Sequence, residues 1–150
     1  MNLTQQRVIR VVAAAAIVIG GYSHYHLYKY EGYQHTPVGG MFLLDFISSL
    51  VIGALLLVGP RRIVAFLGLG ISFLTLLGFV LSRGPGVPTL SGTTFKETGL
   101  SPQTVHLLGV EIALLVVIVE SVAIVLTSTL LLAHGAETAP VAAGRAPAAA

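Results

Sequence analysis

Apolar residues run almost without interruption through four segments, about Val8 to Leu27, Gly39 to Gly59, Ile63 to Ser82 and Val105 to Ala133. Each run stops at charge, proline or glycine. A hydrocarbon core about 30 Å thick takes roughly 20 helical residues at about 1.5 Å each, and all four segments reach that length. Small residues recur within them at helical spacing: Ala16, Gly20 and His24 in the first, Gly68, Ser72, Thr75 and Ser82 in the third, Gly109 and Ala113 in the fourth. Helices in lipid approach where such residues share a face. The pattern predicts an all-α, polytopic membrane protein whose residues 1–133 form an antiparallel four-helix transmembrane bundle. Residues 134–150, dominated by alanine with Pro140 and Pro147, read as a disordered cytoplasmic tail.

Composition supports lipid as the surrounding solvent. With 55% hydrophobic and only 9% charged residues, and a mean hydropathy of +0.90, there is too little polar surface to clothe a soluble globule. The bilayer is therefore the first partner. A net charge of +2 does not indicate nucleic acid, because the arginines sit at helix ends and no basic stripe interleaves with aromatics. The lack of cysteine excludes disulfides, CxxC redox chemistry and thiolate metal sites.

Arg7 and Arg10 ahead of Val11 to Ile19 resemble the start of a secretory signal. The run then passes through Gly20 and Gly21 into Tyr22, His24, Tyr25 and His26, where a cleavage site would need small residues. A retained first helix is expected, with a cleaved signal as the alternative. Positive charge sets the orientation: Arg7, Arg10, Arg61, Arg62 and Arg145 fall on one side, Lys29, Arg83 and Lys96 on the other. The positive-inside bias, strongest in the very short connection holding Arg61 and Arg62, places both termini in the cytoplasm. No internal repeat is evident, which counts against an inverted-repeat transporter.

Polar residues concentrate at the predicted outer leaflet. The first helix exits through His24, Tyr25, His26, Tyr28, Tyr30, Glu31, Tyr33 and His35. The second reaches Asp45 within about two turns, and the fourth meets His106 at once and Glu111 about a turn and a half later. His24, His26, Asp45, His106 and Glu111 are thus candidates for one cavity between the first, second and fourth helices, because a carboxyl against hydrocarbon is costly and should turn inward. Glu111 and Glu120, nine residues apart, fall on opposite sides of a helix at 100° per residue. Glu120 then either pairs with the bundle from another face or contacts another protein chain.

His24, His26 and His106 are candidate metal ligands, since imidazole with carboxylate suits zinc, copper, nickel or iron. His24 and His26 diverge by about 200° on a continuous helix, which weakens a two-histidine chelate. Histidine and tyrosine are also natural at a membrane interface. Haem between facing histidines has no diagnostic signal here, and no motif identifies a cofactor.

The histidine- and tyrosine-rich exit of the first helix, the entry Thr36-Pro37-Val38-Gly39-Gly40-Met41-Phe42-Leu43-Leu44, the loop Gly92-Thr93-Thr94-Phe95-Lys96-Glu97 and Glu111 together resemble uncharacterised small four-span membrane proteins of actinobacteria. The resemblance covers about Val8 to Ala133. It implies a membrane location and a topology, and it carries over no catalytic residue.

Three functions compete. The leading one is non-enzymatic: a membrane protein that binds a small ligand or ion at its outer polar site, or an accessory subunit of a larger membrane complex or homo-oligomer. The second is a proton-coupled transporter component with Asp45, Glu111 and Glu120 as titrating groups. A membrane redox or hydrolytic enzyme holding haem or metal comes third, because HExxH, GxSxG, Walker and cysteine-pair motifs are all absent.

Overall fold

The computed structural model describes residues 1–59, 61–89, 91–96, 106–107 and 110–138, and the side chains of all these except residues 61, 106, 110 and 134–138. Four helices dominate: α1 (Leu3–Tyr30), α2 (Gly39–Val58), α3 (Arg61–Ser82) and α4 (Ile112–Thr138). Each is long and apolar enough to cross a membrane. The chain is a multi-pass membrane protein built as an all-α four-helix bundle.

Local chemistry sets the boundaries. α1 begins at Leu3, ahead of the expected Val8, because Asn2 and Gln5 form a reciprocal capping box, with Gln5 N–H donating to Asn2 Oδ1 at 2.8 Å and Asn2 N–H to Gln5 Oε1 at 3.1 Å. It ends before Gly32, whose φ of 79° turns the chain into a short 3-10 turn over Tyr33–His35. Between α3 and α4 the strands β1 (Val87–Pro88) and β2 (Thr94–Phe95) pair antiparallel, as do β3 (His106–Leu107) and β4 (Val110–Glu111). α4 therefore starts at Ile112 rather than residue 105, because the backbone of His106 to Glu111 is engaged in that second pairing. Gly109, expected to pack a helix, lies outside the described residues. At its far end α4 continues to Thr138, so the expected tail begins as helix; residues 139–150 lie outside the described residues.

Lipid gives neighbouring helices no hydrophobic reason to associate, so close van der Waals contact must hold them. α1 supplies it with consecutive glycines facing two different helices. A Cβ on Gly20 would stand 2.2 Å from Glu120 Oε1 of α4, and one on Gly21 2.4 Å from Ser49 Cβ of α2. Further along the α1–α2 seam Gly53 meets Val18, and Gly68 of α3 sits between Ile17 and Thr127. Around these contacts Ala13, Ala14, Ile17, Leu56, Val64, Ala65, Ala123 and Leu130 form the buried apolar core. Large exposed apolar side chains such as Val11, Ile47, Val51, Phe73, Leu114 and Val125 cover the outside, as a lipid-facing surface requires.

Two buried hydroxyls bond their own helix backbone: Ser23 Oγ donates to Ile19 O at 2.9 Å and Thr127 Oγ1 to Ala123 O at 2.6 Å. Arg10 reaches across to donate to the carbonyls of Leu56 and Gly59. A guanidinium there serves carbonyls that lack intrahelical partners at the end of α2, where the helix dipole favours a cation. The core thus occupies the half of the bundle nearest the α2–α3 connection. Towards the opposite end, which carries both other connections, α2 and α3 separate.

The glycine contacts predict a contrast. Gly21→Ala must push α1 from the Ser49 and Phe46 backbone region and should cost about 1–3 kcal/mol, read as a lower melting temperature in mild detergent. Gly40→Ala, where a Cβ meets nothing within 4 Å, should leave melting unchanged or raise it slightly. Equal behaviour of the two variants would show that close approach at Gly21 does not hold α1 to α2.

Candidate functional site

One turn beyond Gly20, α1 presents His24, which is buried. Its Nδ1 lies 3.0 Å from Gly20 O and 3.2 Å from Asp45 Oδ2. Carbonyl and carboxylate oxygens only accept, so Nδ1 carries the hydrogen and both oxygens compete for it. Gly20 O takes the better-aligned bond, and Asp45 Oδ2 remains buried without a hydrogen-bond partner. The other carboxyl oxygen is satisfied: Thr75 Oγ1 of α3 donates to Asp45 Oδ1 at 2.8 Å. The His24 ring meets Phe42 edge-on at 4.9 Å between centroids. Three helices therefore converge on one carboxyl.

The fourth helix contributes Glu120, only 3% exposed and seated in the space left by Gly20. It lies within electrostatic reach of both His24 and Asp45 and beside Ser72. Ser72 is fully buried, and its Oγ lacks a well-aligned partner. A polar cluster thus sits inside the membrane-spanning bundle, with Asp45 beside His24 and Glu120 beside Ser72.

Beside this cluster a cavity of about 860 Å³ opens between α2 and α3. Phe42, Ile52, Leu67, Ile71, Ile112 and Val116 make its apolar walls, and Gly70 and Gly78 leave its α3 side clear. His24, Asp45, Ser48 and Thr75 supply polar groups within, while Glu31, Tyr33, Arg83, Phe95 and Glu111 ring the end nearest the α1–α2 and α3–α4 connections. Leu44 and Leu74, also lining it, are 59% and 65% exposed on the outer surface of the bundle. The cavity consequently opens sideways, onto the face that lipid covers.

His24, Asp45 and Glu111 all line this cavity. His26 does not: its Nε2 lies 3.9 Å from Glu31 Oε1 and its ring packs on Tyr30. His106 sits in β3 directly across from Glu111 in the strand register, but its side chain lies outside the described residues. α3 joins the expected first, second and fourth helices in lining the cavity, with α2 and α3 supplying most of its wall. Charge alone pointed away from α3, which contributes the Thr75 hydroxyl, apolar side chains and two unopposed glycines. Glu120 is not turned outward toward a partner but buried in the bundle. Glu111 lies in β4, ahead of α4, so Glu111 and Glu120 do not share a helix and their spacing does not set them on opposite faces. Among the described residues no three histidine, aspartate or glutamate side chains are grouped to hold a metal ion. Thr75 and Ser72 were legible only as packing residues, although a polar position in a charge-free span is a signal for an intramembrane hydrogen bond.

Fold and site together define a helical membrane protein with buried carboxyls beside a laterally open cavity. No family model matches the chain, and neither does any curated protein or solved structure.

The Thr75 to Asp45 contact predicts a coupling. Thr75→Val should cost about 1–3 kcal/mol in the parent and little in an Asp45→Ala background, measured by a double-mutant cycle on detergent melting. Additive effects would show that the two side chains do not interact.

Proposed function

We propose that the protein is a non-enzymatic, ligand-binding membrane protein that takes an amphipathic molecule from the bilayer into the α2–α3 cavity. The observation that carries this reading is the sideways opening of an apolar cavity whose lining includes the polar side chains of His24, Asp45 and Thr75. Pockets of several hundred cubic ångströms with apolar walls and a few convergent polar groups are the usual form of a small-molecule site. The likeness to actinobacterial four-span proteins remains part of the proposal and contributes no site residue.

The orientation belongs to the same proposal: Arg7, Arg10, Arg61 and Arg62 hold the termini and the α2–α3 connection in the cytoplasm, so the ring of Glu31, Arg83 and Glu111 faces outward. The chain contains no cysteine, so single cysteines at Gln34, Thr94 and Ala142 report cleanly. An impermeant reagent on intact cells should label the first two and spare the third; the reverse pattern would invert the orientation.

Gly78→Leu tests the ligand reading, because its side chain would project into the cavity from a position where a Cβ meets nothing within 4 Å. Native mass spectrometry from mild detergent should show a bound amphiphile on the parent, lost in this variant at unchanged melting temperature. An adduct retained at full occupancy would place the ligand elsewhere, and no adduct on the parent would remove the support for a bound amphiphile.

A further inference from the structure

We infer that the ligand of this cavity is a lipophilic organic cation, a quaternary ammonium or phosphonium type of group carrying apolar substituents. The inference rests on the reading of the cavity as a ligand site and concerns what that site selects. Its lining holds three carboxyl groups, Glu31, Asp45 and Glu111, against one permanent cation, Arg83. The Arg83 guanidinium lies 4.6 Å over the Phe79 ring, and among the described residues it makes no ion pair. His24 is the only other basic lining group, and its Nδ1 hydrogen already serves Gly20 O. The formal balance is acidic, with imidazoles beside two of the carboxyls: His24 Nδ1 3.2 Å from Asp45 Oδ2 and His26 Nε2 3.9 Å from Glu31 Oε1.

The rim adds aromatic faces. Tyr33 stacks on Phe42 at 5.1 Å and meets Phe95 at 6.3 Å, and all three rings line the cavity. Aromatic faces near carboxylates are the chemistry that recognises quaternary ammonium groups, through the negative quadrupole of each ring. The alternatives fit less well. An anionic amphiphile would meet three carboxyls, and a neutral one would gain no charge attraction from them. A bare metal ion finds no grouped ligand set among the described residues and gains nothing from the apolar walls. A cation that carries its own apolar surface satisfies both the walls and the carboxyls.

Tetraphenylphosphonium, tetraphenylborate and triphenylphosphine oxide present aromatic groups of similar size with positive, negative and no charge. Equilibrium dialysis of the full chain in a mild nonionic detergent should show saturable binding of tetraphenylphosphonium at least about tenfold tighter than of the other two, about 1.4 kcal/mol. Asp45→Asn should weaken it by about tenfold. Should that variant fail to fold, Glu111→Gln at the rim should weaken it severalfold by the same electrostatic argument. Comparable binding of the neutral or anionic probe, or unchanged affinity in a folded carboxyl variant, would overturn the selectivity for cations while leaving the cavity as a ligand site. No saturable binding of any probe would also overturn it, and the bound amphiphile seen by mass spectrometry then decides separately whether the cavity binds a ligand at all.

Discussion

Two adjacent glycines, Gly20 and Gly21, fix how the bundle is put together. Consecutive helical positions point about 100° apart, so a pair of missing side chains lets one helix approach two neighbours at the same level. Gly20 faces α4 and Gly21 faces α2. Once α1 is held this closely, the next turn must carry His24 between the two helices it touches. That places the ring within 3.2 Å of Asp45 and in the field of Glu120. The polar cluster is therefore a product of backbone proximity. Its charged and ionisable members would otherwise have no reason to meet in a medium that offers no water.

The same contacts account for the asymmetry of the bundle. Small residues and a compact apolar core tie the helices in the half nearest the α2–α3 connection, where Arg10 also serves the last carbonyls of α2. In the other half α3 carries Gly70 and Gly78 with nothing opposite them, and Thr75 donates a hydrogen bond across to Asp45 of α2. A bundle packed tightly throughout would have no cavity. This one is closed where its side chains are small and complementary, and open where they are absent without a partner.

Much of this was legible in the sequence. Four spans followed from run length and composition, and the approach of His24 to Asp45 followed from topology, since both lie near the same end of adjacent antiparallel helices. The helix ends were less legible: capping by Asn2 and Gln5 extends α1, and strand pairing from His106 to Glu111 delays α4. The rotation of each helix was least legible. A span apolar on every side offers no stripe to orient it, so the inward turn of Glu120 depends on the space at Gly20, a contact between residues a hundred positions apart. The role of Thr75 was hidden for a similar reason, because a hydroxyl that can bond its own helix does not announce a partner on another.

On the proposed reading of the cavity as a ligand site, the sideways opening beside Leu44 and Leu74 changes what determines selection. A molecule arriving through it has already left water for lipid, and each methylene has released its roughly 0.8 kcal/mol on entering the bilayer. Moving that chain from among acyl tails to among leucines and isoleucines adds almost nothing, since the two surroundings are equally apolar. Chain length then governs how much of the molecule is stored in the membrane and has little influence on whether the protein prefers it. Preference is left to the few polar atoms at the end of the cavity, and the relevant concentration is the mole fraction in the surrounding leaflet rather than the amount dissolved outside.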